Sequence, residues 1–482
     1  MPYTGWTPAR GEPVAVRGAD TGADAMWTEF VAPRRPVVLD ALLDDPEWHG
    51  TQWTNLAYLA ERAGNAVVTV EPVHPDDRCF GTGVQRSTMS FADYLRVVQD
   101  PSQAGRFYLT TQYDQDAPDG DDDADEPPID TLFPSPTHAL ARDFPMHPRI
   151  LGRLVLQQCN LWLGSAREPT SSGLHHDFHD NLYLLLSGRK RFLLFPPDAH
   201  PHLHVRGHVH TVHPNGLVTY AATIRADGLD DLDAAHWRLV AAHAQRKRAR
   251  ATASHAAYEA ARAAYEEISA RYRRALDTGG DKDELRGDSG RGEGGQDGSS
   301  GEEAFDDSAR SDEQDSDDDD PPLFGDADDA DPSFSDDADE GEALLAALDA
   351  SAAPNARTHA AAPGDEPPSF SRIRARTLQT HFHVAPAVAG ATHGPTPGAK
   401  CPEPIVVDLV PGQMLYLPAG WFHEVTSWGD DPHMALNYWM HPPDGPSAAE
   451  PYRDADVWAQ IRQRVHAAGD RARSHGRKRA RA

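Results

Sequence analysis

Three side chains decide what chemistry this sequence could do. His175 and Asp177 stand two residues apart in Leu174-His-His-Asp, and His423 closes Leu415-Tyr-Leu-Pro-Ala-Gly-Trp-Phe-His. Two imidazoles and one carboxylate form the facial triad that holds Fe(II) and leaves three positions open for a co-substrate and dioxygen. On a strand, residues i and i+2 point to the same side, so His175 and Asp177 can face one ion while His176 faces away. A lone His-x-Asp is weak evidence: His74-Pro75-Asp76 repeats the spacing in a loop and reads as plain surface. The competing reading for each imidazole is a buried histidine satisfied by its neighbours. His423 weighs against it, because it follows a strand and a Pro-Ala-Gly turn, with Trp421 before it, a rigid place for a third ligand.

Lys190 adds a second kind of chemistry. Lysines within strands usually snorkel their ammonium to water. This one lies between Gly188-Arg189 and the apolar run Phe192-Leu-Leu-Phe, which predicts an inward ammonium. A buried cation needs an anion, and a dicarboxylate co-substrate chelating the metal would supply one. Ser172, Asn181, Tyr108 and Asn437 are further polar candidates, against the plainer reading that such residues near barrel strands satisfy backbone groups.

The elements that must position these residues follow from the patterning. Arg35-Pro-Val-Val-Leu-Asp, Val67-Val-Thr-Val and Phe107-Tyr-Leu-Thr-Thr read as strands. Leu56–Ala63 ending at Gly64, and Phe91 onward behind Ser90, read as helices. Asp119–Asp130 is an acidic loop, and residues 150–212 hold three apolar runs separated by glycine and turn residues, as in an antiparallel barrel or sandwich. The expected divisions are N-terminal α/β elements over 27–149 and a first barrel half over 150–214. An insertion follows over 215–366, helical over 229–276 and disordered and acidic over 277–365. A second barrel half covers 367–445, and residues 446–482 form a C-terminal helix and a basic, frayed tail. In the helix, expected over 454–467, Val457, Trp458, Ile461 and Val465 share one face.

The net charge of −30 is local. Residues 281–350 hold 27 Asp and Glu against 4 Lys and Arg, a net of −23, which leaves −7 for the rest. Such a segment cannot bury enough apolar surface to offset chain entropy. The remainder is too mildly acidic to argue for a substrate, and no direct nucleic-acid binding is inferred. Three cysteines without a Cys-x-x-Cys pair suggest a reducing compartment. With no signal-peptide pattern and no apolar run of membrane-spanning length, a soluble cytoplasmic protein is expected. The basic runs Arg246-Lys-Arg-Ala-Arg and Arg477-Lys-Arg are solvated faces or nuclear import signals.

Asn160-Leu-Trp-Leu-Gly, Leu174-His-His-Asp, Asn181-Leu-Tyr, Ser187-Gly-Arg-Lys, Phe195-Pro-Pro and Leu415-Tyr-Leu-Pro-Ala-Gly-Trp-Phe-His occur in family order. Over residues 27–212 and 367–445 they make the chain resemble the JmjC branch of the cupin fold, the Fe(II)- and 2-oxoglutarate-dependent oxygenases. The resemblance implies a mainly β fold with flanking helices, a double-stranded β-helix (jelly-roll) interrupted by the long insertion. It puts iron on His175, Asp177 and His423, and 2-oxoglutarate on Lys190, with Ser172, Asn181, Tyr108 and Asn437 as further contacts. Ser172 stands where a threonine is common and keeps the hydroxyl. The subgroup most resembled is the small JmjC hydroxylases, above all the lysyl hydroxylase of GTP-binding translation factors. That implies Fe(II), 2-oxoglutarate and O2, and hydroxylation of a protein side chain, with succinate and CO2 as co-products. Such hydroxylases commonly pair through C-terminal helices, so the apolar stripe implies a homodimer, unless it packs on the chain's own barrel. Two other readings stay open. An N-methyl-lysine (histone) demethylase would use the same site. A non-enzymatic interaction protein would carry a vestigial cupin, although the intact triad and Lys190 speak against decay.

Overall fold

Short apolar strands alternate with glycine-marked turns along this chain, and nearly all of its sheet pairing is antiparallel. The computed structural model describes residues 2–75, 78–110, 129–249, 252–277, 367–390 and 392–479. Strands β1 (Ala15–Arg17), β2 (Val37–Leu39), β3 (Val67–Pro72), β4 (Ser87–Ser90) and β5 (Phe107–Leu109) lead in. Four long strands follow: β6 (Leu156–Gly164), β7 (Thr170–His176), β8 (Asp180–Ser187) and β9 (Arg189–Phe195). The three apolar runs expected here are thus four strands, because β7 is too polar to stand out by hydrophobicity. A small hairpin, β10 (Thr211–Val212) and β11 (Val218–Thr219), closes the first half. The second half supplies β12 (Ile405–Leu409), β13 (Met414–Leu417), β14 (Phe422–Trp428) and β15 (His433–Met440).

Two sheets face each other, ordered β1-β2-β13-β8-β15-β6-β5-β3-β4 and β12-β9-β14-β7. The late strands interleave with the early ones: β13 lies between β2 and β8, β15 between β8 and β6, and β14 between β9 and β7. Neither half could close the barrel alone. Strand β8 shows why its sequence lacks alternation. Tyr183 and Leu185 face the barrel interior with Phe192, Leu194, Leu415 and Leu417. Leu182, Leu184 and Leu186 face the helices with Leu436 and Tyr438. Both faces are buried, so the strand is a continuous apolar run. The double-stranded β-helix expected from the sequence is the observed fold.

Ser90 caps its helix by accepting from the Asp93 amide at 3.1 Å. Because β1 already pairs with β2, the fold takes in residues ahead of position 27. The helical part of the insertion is a pair, Asp231–Ala249 and Thr252–Asp277, joined through Ala235, Leu239, Tyr258 and Tyr265. The expected acidic segment from residue 278 to 365, and residues 119–128 of the acidic loop, lie outside the described residues, while residues 129–130 open a short helix, Ile129–Leu132.

The last helix, Ala455–Arg479, runs well past the expected end at 467 and takes in part of the tail read as frayed. Its apolar stripe continues as small residues, with Ala468 and Ala472 buried beyond Val465. Val457, Trp458, Ile461 and Val465 all belong to the chain's own core. The stripe therefore packs on the barrel and is not left free for a second copy. Among the described residues no helix is long and apolar enough to cross a membrane.

Candidate metal centre

Strands β7 and β14 pair so that His175 and His423 are direct Cα partners, with ring centroids 4.2 Å apart. Each Nδ1 lies 3.0 Å from the carbonyl oxygen two residues earlier, Gly173 for His175 and Trp421 for His423. A carbonyl only accepts, so each Nδ1 carries the proton and each Nε2 keeps a free lone pair, the tautomer a metal requires. Burial, and then the neighbouring His423, hold the His175 pKa down to about 4, with Asp177 opposing. The ring is therefore neutral near pH 7.

Asp177 lies one residue past the end of β7 and still meets both imidazoles. Its carbonyl accepts from the Gly420 amide at 2.9 Å, and its Oδ2 is 3.8 Å from His423 Nε2. One ligand atom from each of the three residues lies within 4.8 Å of the others. Gly420 is required twice over: its φ is +76°, and a Cβ there would sit 1.8 Å from the Gly216 carbonyl oxygen. Two imidazole nitrogens and a carboxylate, brought together in this way, fit a divalent transition metal.

Residues that sequence reasoning missed hold this geometry. Asp180, wholly buried, is paired in bidentate fashion with Arg34 and also accepts from Tyr416 (2.6 Å) and the Ala419 amide (3.0 Å). It thereby ties the turn after Asp177 to the turn before His423. Phe370 stacks on His175, centroids 4.7 Å apart and planes 9° from parallel. Its segment runs beside β7, where Ser371 N donates to Leu174 O and His176 N to Ser369 O. The only sequence signal for Phe370 was the return of order near Pro367. For Asp180 there was none, because its partners are 146 and more residues away.

The predicted polar residues fall into two groups. Asn181 donates to Asp177 Oδ2 at 3.3 Å, Asn437 to Asn181 Oδ1 at 3.1 Å, and Trp162 to Asn437 Oδ1 at 3.0 Å. This chain of amides orients the carboxylate ligand. Lys190 and Tyr108 form the second group. Lys190 is inward as expected, 2% exposed, and its Nζ donates to Tyr108 Oη at 2.7 Å. Burial lowers its pKa to about 7, and among the described residues no carboxylate pairs with it. Ser172 joins neither group: it is half-buried, and its hydroxyl donates to Gly173 O at 3.4 Å. Of the other His-x-Asp, Asp76 lies outside the described residues.

The cupin-like domain family matches residues 23–445. JmjC domain-containing protein 4 of Schizosaccharomyces pombe is 33% identical over 495 residues, covering 97% of this chain and 93% of that protein. The bifunctional peptidase and (3S)-lysyl hydroxylase JMJD7 of Homo sapiens is 28% identical over 184 residues, 36% of this chain and 52% of that protein. The lysine-specific demethylase JMJ31 of Arabidopsis thaliana is 40% identical over 57 residues, 12% and 10% of the two chains. A family match that spans both barrel halves, with a relative alike over nearly its full length, makes this chain a member of the JmjC group of cupin-like proteins.

Proposed function

We propose that this protein is an Fe(II)- and 2-oxoglutarate-dependent dioxygenase that hydroxylates a lysine side chain of a protein substrate. One observation carries the reading: three metal-competent donors share a sheet with a buried ammonium four residues along from the partner of His423, and among the described residues no carboxylate pairs with it. Iron with 2-oxoglutarate and dioxygen supplies oxidation of a C–H bond, with succinate and CO2 as co-products. The chain does the rest. His175, Asp177 and His423 would hold the metal, and Asn181 keeps the Asp177 carboxylate turned toward it. Lys190 and Tyr108 would receive the far carboxylate of the co-substrate. Trp162, Tyr183 and Phe192 belong to the apolar core beside these groups.

The choice of lysine is supported by the motifs shared with small JmjC hydroxylases and by the human relative named a lysyl hydroxylase. A GTP-binding translation factor is the first substrate to test. The Arabidopsis relative, named a lysine-specific demethylase, favours a second reading on the same site. Mass spectrometry of cellular peptides, with and without the active protein, separates the two. A hydroxylase leaves one added oxygen on lysine, whereas a demethylase removes a methyl group and releases formaldehyde. No change in any peptide, together with no succinate release from 2-oxoglutarate, would leave the interaction-protein reading.

A further inference from the structure

A row of three residues crosses the large sheet beside Lys190. His433 on β15 stands opposite Gly164 on β6, and Gly164 stands opposite Tyr108 on β5. Residues directly opposite one another share a face of the sheet. Gly164 has no side chain, so the Tyr108 and His433 rings close over it, with centroids 5.4 Å apart. A Cβ on Gly164 would lie 2.7 Å from Tyr108 Cδ2 and 2.8 Å from His433 Cε1, so only glycine leaves room for both rings. Tyr108 is also the residue to which Lys190 donates, which puts His433 near the ammonium.

His433 is 2% exposed, and its Nδ1 has no hydrogen-bond partner from any other of the described residues. Buried polar atoms are almost always partnered, so an orphan calls for an explanation. Burial, followed by the positive charge of Lys190, keeps the His433 pKa well below that of an ordinary histidine. The ring is therefore neutral, with one N–H to give. Among the described residues no carboxylate pairs with Lys190 either. Two donors thus wait at one dry end of the barrel, and a carboxylate has two oxygens to accept from them.

We infer that His433 is a co-substrate-binding residue, donating its imidazole N–H to the remote carboxylate that Lys190 also holds. This rests on the 2-oxoglutarate reading above and adds a residue to it. The role is distinct from filling space, because it depends on one carboxylate of the ligand.

The test is a binding measurement on the full chain loaded with Mn(II) and kept free of oxygen, so no turnover is involved. Wild type, His433→Leu and His433→Asn are titrated with 2-oxoglutarate and with 2-oxobutyrate, which keeps the chelating end and lacks the remote carboxylate. The leucine variant should bind 2-oxoglutarate about tenfold or more weakly, the loss expected for one hydrogen bond to a charged group. Its affinities for 2-oxobutyrate and Mn(II) should not change. Asparagine, which can place an N–H near the former Nδ1, should recover most of the loss. Unchanged 2-oxoglutarate affinity in the leucine variant, or equal weakening of both ligands, overturns the inference. If that variant fails to fold by circular dichroism, the asparagine variant decides: a retained preference for 2-oxoglutarate over 2-oxobutyrate supports the role, and a lost one overturns it. A wild type with no such preference would instead remove the 2-oxoglutarate reading, and this inference with it.

Discussion

At the His175, Asp177 and His423 end of the site, each imidazole already has its Nδ1 on a carbonyl, and Asp177 already has Asn181 beside it. Among the described residues, Lys190 meets only the Tyr108 hydroxyl and ring face, and His433 Nδ1 has no partner. The first set is oriented before any ligand arrives. The second is left electrostatically incomplete, and its incompleteness favours an anion. On the proposed function, one end would select by geometry and the other by an unmet charge.

The largest expected effect lies at the metal end. His175→Ala or Asp177→Ala removes one of three donors, and succinate release from 2-oxoglutarate with Fe(II) and ascorbate should be abolished. Wild-type turnover in either variant would sink the metal assignment.

Next comes the scaffold under that end. Removing one partner of a buried ion pair leaves the other charge uncompensated, so Asp180→Ala should cost about 3–5 kcal/mol of stability. Arg34, Tyr416 and the Ala419 amide all lose their acceptor together. Thermal unfolding reads this directly, and an unshifted transition would show that the pair does not hold the two ligand turns.

Smaller effects belong to the ammonium end. Lys190→Ala should weaken 2-oxoglutarate about ten- to hundredfold while leaving metal affinity in place, because a charge-assisted bond contributes about 1.5–3 kcal/mol. The pH dependence has a definite sign. Only the ammonium attracts a carboxylate, and the Lys190 pKa in the free protein is about 7. Affinity should be steady below that pH and then fall by up to about tenfold per unit above it, until the raised pKa of the complex is reached. An affinity flat from pH 6 to 9 would mean that another cation holds the anion.

The smallest effect is expected far from both ends. Residues 281–350 lack the composition for a core, and doubling a loop changes its closure cost by only about 0.6 kcal/mol. Exchanging them for a short Gly/Ser linker should leave Mn(II) binding and unfolding temperature near wild type. A lost fold would show that the segment packs on the barrel.

Much of the site was legible in the sequence because it is written in local motifs. His-x-Asp, the Gly-Arg-Lys turn and the Pro-Ala-Gly-Trp-Phe-His run each name a residue type and its neighbours, and Lys190 turned inward as its apolar flank required. The C-terminal stripe was legible too, but its partner was not. Periodicity marks an apolar face without saying what covers it, and the cover is the chain's own core. Its true length was hidden for a related reason: alanines continue the buried face past Val465 without raising hydrophobicity enough to be noticed.

By itself, the sequence determined the barrel class, the His175, Asp177 and His423 set, the inward lysine and the acidic composition of the insertion. Only the tertiary structure decided that His175 meets His423 across a strand pair, that Asp180 clamps two turns, and that Phe370 lies on the His175 ring. It also closed His433 and Tyr108 over Gly164. These contacts join residues far apart along the chain, through interleaved strands whose register depends on packing on both faces, and no local pattern carries that information.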